Sequence, residues 1–248
     1  MRLSSNWPAV NDIYRDKYVV FMDILGFKNL VSAADQQPAH RNTLLSILTL
    51  LKHTAAANPH CGLHLSQFSD CIILSADHSP QGLRDLLMSV DNIVSNLLQR
   101  NILLRGGMEV GGVHHDDDFV YGMGVNKAHE LQCTKPHDPC ILVSGEVCND
   151  MKASGFGHYI EFDQTKDPPR AFLHYLLQYA TYDPLTPMPG MEVLDQPAAR
   201  IIRLMSHRLR VDSGDVLEKA QWFQAYWNRT VAASGVFGRI EASHENPP

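Results

Sequence analysis

The sequence contains no CxxC pair, no uninterrupted stretch of about 18 apolar residues and no excess of basic charge, and each absence narrows the field. Its cysteines, Cys61, Cys71, Cys133, Cys140 and Cys148, are odd in number, as expected of small buried thiols in a reducing compartment rather than a disulfide framework. The longest membrane candidate, residues 18–27, is interrupted by Asp23, and residues 1–11 carry no signal-type apolar core. A cytoplasmic protein with no membrane association is therefore expected. Lys and Arg number 21 against 27 Asp and Glu, a net charge of −6, which argues against a nucleic-acid partner. The fingerprints GxGxxG, GxxxxGK[ST] and GxSxG are missing, which removes dinucleotide, P-loop and serine-hydrolase readings. There is no internal repeat.

What is present is an ordinary globular composition, 44% hydrophobic and 19% charged over 248 residues. Residues 18–27 read as a buried strand ended by Gly26, and residues 39–57 as a helix stopped by Asn58-Pro59. Residues 63–68 and 71–75 read as two short strands around a turn at Ser69-Asp70. Residues 79–100 carry Leu83, Leu86, Leu87, Val90, Ile93, Val94, Leu97 and Leu98 at helical spacing. Residues 102–113 read as a further strand, 114–118 as a polar turn, 119–121 as a short return strand and 122–131 as a helix. Strands are expected at 141–143, 159–162 and 171–177, a proline-rich boundary at 183–189, helices at 198–210 and 215–233, and a frayed tail at 241–248. The order strand, helix, strand, strand, helix, strand is the α+β, ferredoxin-like βαββαβ pattern, with helices packed on one face of its sheet. The expected organisation is a domain over residues 14–182 and a helical C-terminal extension over residues 190–240.

Two carboxylates stand where solvated charge does not belong. Asp23 lies between Met22 and Ile24 in an apolar strand, where an unpaired carboxylate is costly. Asp70 lies at the tip of the next hairpin, which a βαββαβ sheet sets beside the first strand. Taken alone, a turn Asp is a common backbone-satisfying residue. Converging with Asp23, it completes a pair of oxygen donors suited to Mg²⁺ or Mn²⁺ and to phosphate chemistry.

The segments Phe21-Met22-Asp23-Ile24-Leu25-Gly26-Phe27, Phe68-Ser69-Asp70, Arg105-Gly106-Gly107 and Tyr121-Gly122-Met123-Gly124-Val125-Asn126-Lys127-Ala128 together resemble the class III nucleotidyl cyclases, over roughly residues 18–162. The resemblance implies the class III cyclase form of the βαββαβ fold and a homodimer with composite active sites. Asp23 and Asp70 of one subunit would bind two divalent ions, Mn²⁺ or Mg²⁺, and Asn126 of the other would orient the ribose. Backbone around Phe21, Ile24, Leu25, Gly26 and Phe27 would cradle a nucleoside triphosphate, whose 3′-oxygen attacks the α-phosphorus to release pyrophosphate.

Departures from the family pattern bear on the base. Purine-using relatives carry Lys where this chain has Ser66 and Asp where it has Phe119, and a transition-state Arg where it has Glu130. The set looks like the bacterial pyrimidine cyclases of Pycsar anti-phage defence, whose cyclic UMP or cyclic CMP signals to a separate effector protein. In that reading Phe119 and Tyr121 add bulk to a pyrimidine pocket, Arg105 donates to a base carbonyl, and Arg105 or Lys127 replaces the missing cation. UTP is the favoured substrate, on family frequency alone. CTP, ATP or GTP, and a catalytically degenerate nucleotide sensor are the alternatives. The tract His114-His115-Asp116-Asp117-Asp118 reads as a solvated hairpin tip, since adjacent strand histidines point to opposite faces.

Overall fold

The computed structural model describes residues 14–56, 62–134, 138–185 and 194–242. Strand β1 (Arg15–Ile24) runs antiparallel to β3 (Cys71–Asp77) on one side and to β4 (Leu104–His115) on the other. The hairpin partner of β3 is β2 (His64–Phe68), turned at Ser69, whose φ is 57°. The order β2-β3-β1-β4 is the ferredoxin-like arrangement. The sheet continues through β6 (Ile141–Val143), parallel to β4, then β8 (Arg170–Leu173) and β7 (Ile160–Asp163). The two-residue β5 (Val120–Tyr121) pairs only with the end of β4.

Alternation along β1 divides the molecule. Tyr18, Val20, Met22 and Ile24 enter the main core, whereas Val19 and Phe21 join a small second cluster with Val113 and Ala128. The main core is closed by α2 (Pro38–Ala56) and α3 (Pro80–Leu98). Helix α3 starts as its sequence dictates: Ser79 Oγ accepts the Gly82 N–H at 3.0 Å, Pro80 follows the cap, and the leucine-rich stripe is buried. Outside the βαββαβ unit, α4 (Met123–Gln132) covers the opposite face. It does so across a glycine seam. A Cβ on Gly107 would stand 2.2 Å from the Ala128 carbonyl oxygen, and one on Gly111 would stand 3.0 Å from the Gly124 Cα. Backbone therefore packs on backbone there.

Four elements differ from the sequence reading, one of them the unexpected helix over Gly145–Ala153. A ten-residue helix, α1 (Phe27–Gln36), fills the interval before α2, separated from it by Gln37-Pro38. The residues read as a strand to 177 form β8 only to Leu173 and then a short helix, α6 (Leu177–Ala180). The largest correction concerns His114 and His115, which belong to β4 and are 8% and 4% exposed rather than parts of a solvated tip. The turn proper is 116–119, where Asp116 accepts the N–H groups of Asp118 and Phe119.

Helix α5 (Gly145–Ala153) packs beside β4. The C-terminal helices α7 (Asp195–Val211) and α8 (Gly214–Thr230) bury Ile201, Met205, Phe223, Tyr226 and Trp227 in the main core. Tyr226 meets Phe172 edge-on at 5.1 Å, and its hydroxyl bonds His174 Nδ1 at 2.6 Å. Most of the proline-rich boundary and most of the expected frayed tail lie outside the described residues. Among the described residues no helix is long and apolar enough to cross a membrane.

Candidate active site at the end of strands β1 and β3

Register places Asp23 opposite Cys71 in β3 and Arg105 in β4, on the face covered by α4. The Ile24 N–H donates to the Asp70 carbonyl oxygen at 2.9 Å, so the two aspartates occupy adjoining strand ends. Both are partly buried, and the contacts of Asp23 are the more fully defined. Its Oδ2 receives Arg105 Nη2 at 2.9 Å and Nε at 3.3 Å, and also the side-chain amide of Gln132 from α4. Its Oδ1 accepts the Cys71 thiol at 3.4 Å. Burial, reinforced by that hydrogen bond and the Asp23 charge, raises the Cys71 pKa to about 11, which keeps it a protonated donor.

Immediately beyond, Gly26 adopts φ 79° and caps α1, with no side chain satisfying the first N–H groups of that helix. A positive-φ glycine leading into a bare helix N-terminus suits an anion. Ile24 is buried, Phe21 nearly so, and Leu25 and Phe27 lean on the main core. Contrary to the sequence expectation, the Ile24 and Leu25 N–H groups are taken by the Asp70 and Leu103 carbonyls, and Phe21 is paired on both sides in the sheet. The backbone left to meet a ligand is that of Gly26 and the start of α1, Phe27 included. Leu25 and Gly26 also border a cavity of about 400 Å³ walled by His207, Val211 and Lys219 of the C-terminal helices.

The other expected site residues lie elsewhere. Asn126, Lys127 and Glu130 are on the exposed side of α4, and no hydrogen bond joins Asn126 to either aspartate among the described residues. Phe119 and Tyr121 are 66% and 55% exposed beside His114, nine residues along β4 from Arg105, or roughly 30 Å at ~3.3 Å per residue. Asp23 and Arg105 therefore stand at one end of the β1–β4 pair, and Phe119 and Tyr121 at the other. Between them Ser66 is occupied by His115, whose Nε2 bonds Ser66 Oγ at 2.9 Å and whose Nδ1 bonds Ser75 Oγ at 2.8 Å. Burial holds the His115 pKa down to about 4, so its ring is neutral between the two hydroxyls.

Gln132, 3% exposed, is the residue that sequence reasoning missed. It ends a short helix, and its only sequence signal is a position six residues after Asn126. The donor set itself consists of two carboxylates. Carboxylate oxygens are hard donors of the kind a divalent ion takes when it shares its shell with substrate phosphates, and among the described residues no group of three His, Cys, Asp or Glu side chains forms a metal cage by itself.

No protein-family model matches the chain, and no curated protein matches it. Among solved structures it is similar to a bacterial light-regulated adenylyl cyclase, 17% identical over 55% of this chain and 45% of that one, with a TM-score of 0.40. It is also similar to an adenylate/guanylate cyclase/hydrolase from Silicibacter pomeroyi, 18% identical over 64% and 94% of the two chains, TM-score 0.43. A third is the catalytic core of a rhodopsin-guanylyl cyclase with converted specificity in complex with ATPαS, 15% identical over 64% and 95%, TM-score 0.43. The chain spans less than half of the light-regulated cyclase. Likeness at this level is too slight to carry a function, and the geometry of this chain has to do so.

Proposed function

We propose that the protein is a nucleotidyl cyclase of the class III type, acting as a homodimer on a nucleoside triphosphate, with UTP the favoured substrate. The observation that carries the reading is the adjacency of Asp23 and Asp70 to the Gly26 turn and the uncapped start of α1. Carboxylates beside an anion cradle suit a triphosphate that arrives with Mg²⁺ or Mn²⁺. The bound ions would supply charge neutralisation for the phosphates and activation of the attacking oxygen.

The chain's own residues divide the remaining work. Asp23 and Asp70 hold the cation-binding oxygens, and Gln132 and Arg105 fix the Asp23 rotamer. The N–H groups after Gly26 orient the triphosphate chain for in-line departure of pyrophosphate as the 3′-oxygen attacks the α-phosphorus. Arg105 must share its guanidinium between Asp23 and substrate, which makes it a better neighbour to phosphate charge than a reader of the base. Phe119 and Tyr121 come from the second copy, because they lie at the far end of β4 from Arg105 and an antiparallel two-fold pair brings unlike ends together, and Asn126, exposed on α4, comes with them. Ser66, held by His115, and Phe119 support the preference for a pyrimidine over a purine. CTP and purines remain substrates for the same experiment to exclude. Cyclic UMP made in the cytoplasm would act on a separate effector in anti-phage defence.

Incubation of the purified protein with each of the four nucleoside triphosphates and Mn²⁺, with products identified by mass, tests the chemistry. Cyclic UMP is expected, and no cyclic product from any nucleotide overturns the enzyme reading. Mixing inactive Asp23→Ala with inactive Asn126→Ala tests the composite site. Rescue to about one quarter of wild-type sites is expected for a randomly paired dimer, and no rescue refutes it.

A further inference from the structure

The two aspartates of the candidate site differ in the company they keep. Asp70 forms no ion pair among the described residues, whereas Asp23 is paired with Arg105. That pairing is set by the sheet rather than by the reach of a long side chain, since Asp23 and Arg105 stand directly opposite each other in β1 and β4. It is also sheltered, the Asp23 side chain being 15% and the Arg105 side chain 26% exposed. The solvent screening that weakens surface ion pairs therefore acts only in part.

The contacts fill the carboxylate. Arg105 Nη2 and Nε and the Gln132 amide donate to Oδ2, and the Cys71 thiol donates to Oδ1. An ionised carboxylate has about four lone-pair positions, so a cation reaches Asp23 only by displacing one of these donors. The donors are unequal opponents. Gln132 and Cys71 are neutral, and the long thiol contact leaves Oδ1 the easier oxygen to take. Arg105 carries charge of the same sign as the cation. An ion bound at either oxygen, at the ~2.0–2.6 Å of such ligands, faces the guanidinium across a single carboxyl group.

We propose that Arg105 is a resident counter-cation of Asp23, which weakens the hold of this site on a divalent ion that arrives without phosphate. The proposal rests on the reading of Asp23 as a cation ligand. Two carboxylates and one guanidinium leave a single net negative charge at the strand ends, too little to balance two divalent ions. The oxygens of a triphosphate bring the missing charge with them, so Arg105 opposes an ion that comes with substrate far less than one that comes alone.

Titration of the full chain with Mn²⁺ in the absence of nucleotide, followed by the electron paramagnetic resonance of the free aqueous ion, tests this without reference to activity. Arg105→Gln is expected to bind Mn²⁺ at least about 10-fold more tightly than wild type, and Asp23→Ala added to it should abolish the gain. Arg105→Met, which keeps the apolar stem, repeats the comparison where the first variant lowers the unfolding midpoint. Gln132→Ala removes a neutral donor from the same oxygen and should give no tightening, which separates competition between charges from simple unblocking of the carboxylate. Equal Mn²⁺ affinity in wild type and the Arg105 variants, tightening that persists without Asp23, or equal tightening in Gln132→Ala would each overturn the proposal. None of these results decides the cyclase reading, which stands or falls with the product assay.

Discussion

The two faces of the β1–β4 sheet are built on different principles. The face under α2 and α3 is a thick layer of Leu, Ile and Val, with Leu83, Leu86, Ile93 and Leu97 wholly buried. The face under α4 is thin: Val19, Phe21, Val113 and Ala128 form its cluster, with glycines where side chains would otherwise interdigitate. All the polar machinery, Asp23, Arg105, Gln132, Ser66 and His115, lies on the thin face. Burial on one face provides the stability that lets the other accommodate carboxylates, imidazole and bare backbone.

That contrast can be broken experimentally, starting with the largest effect. Asp23→Asn keeps the shape of the side chain but removes the charge facing Arg105. Cyclic-nucleotide formation should fall below detection, while the urea midpoint moves little; a fully active variant would separate Asp23 from the chemistry. Gly107→Val should destabilise by about 3 kcal/mol or more, because its Cβ meets the backbone of α4 rather than a movable side chain. Activity per folded molecule should fall with it. Leu86→Ala, on the thick face, should cost about 3 kcal/mol in urea denaturation through the cavity it leaves, yet preserve activity per folded molecule. If both variants behave alike, the division between faces is wrong.

If Asp23 binds a metal as proposed, Gln132→Ala should lower activity by roughly 10- to 100-fold, the range for losing a residue that orients a ligating carboxylate, with most of the loss recovered in Gln132→Asn only if the shorter amide still reaches. The smallest effect concerns pH. His115 titrates near 4 when folded and near the ordinary 6.5 when unfolded, so the unfolded chain binds more protons between those values. Its contribution is present above pH 6.5 and is lost as pH falls towards 4, on the order of 3 kcal/mol in all. Asp91 works in the opposite sense, its raised folded pKa favouring the native state at low pH, so the wild-type profile alone conceals both. The stability difference between wild type and His115→Gln should therefore shrink as pH drops from 6.5 to 4, and a constant difference would place a charged His115 in the folded protein.

Much of the thick face was legible because its signals are periodic and local. The leucine stripe and Ser79 cap of α3 and the β-branched run of β1 each declare an element on their own. Helix α1 was not legible, since Phe27-Lys28-Asn29 and Ser32-Ala33-Ala34-Asp35 present a mixed surface of which only Ala34 is buried. The histidines were misread because local polarity suggested solvent, whereas Ser66 and Ser75, about 40 to 50 residues away in sequence, satisfy the His115 ring. At the site, Asp23 was conspicuous by its apolar neighbours and Asp70 by its turn. Gln132 and the Arg105 pairing depend on which residues face each other across β1, β4 and α4, a matter of register and helix placement that no short segment encodes.

The glycine seam under α4 has a mechanical consequence. Side-chain layers absorb small errors: a rotamer hops and the displacement dies out. At Gly107 and Gly111 no such cushion exists, so α4 can slide along β4 only as a rigid body. Gln132 at one end of that helix and Asn126 near the other must then travel together, like two marks on one ruler. Any force that displaces the outer surface of α4, such as the approach of a second subunit, is thereby delivered undamped to the carboxylate of Asp23.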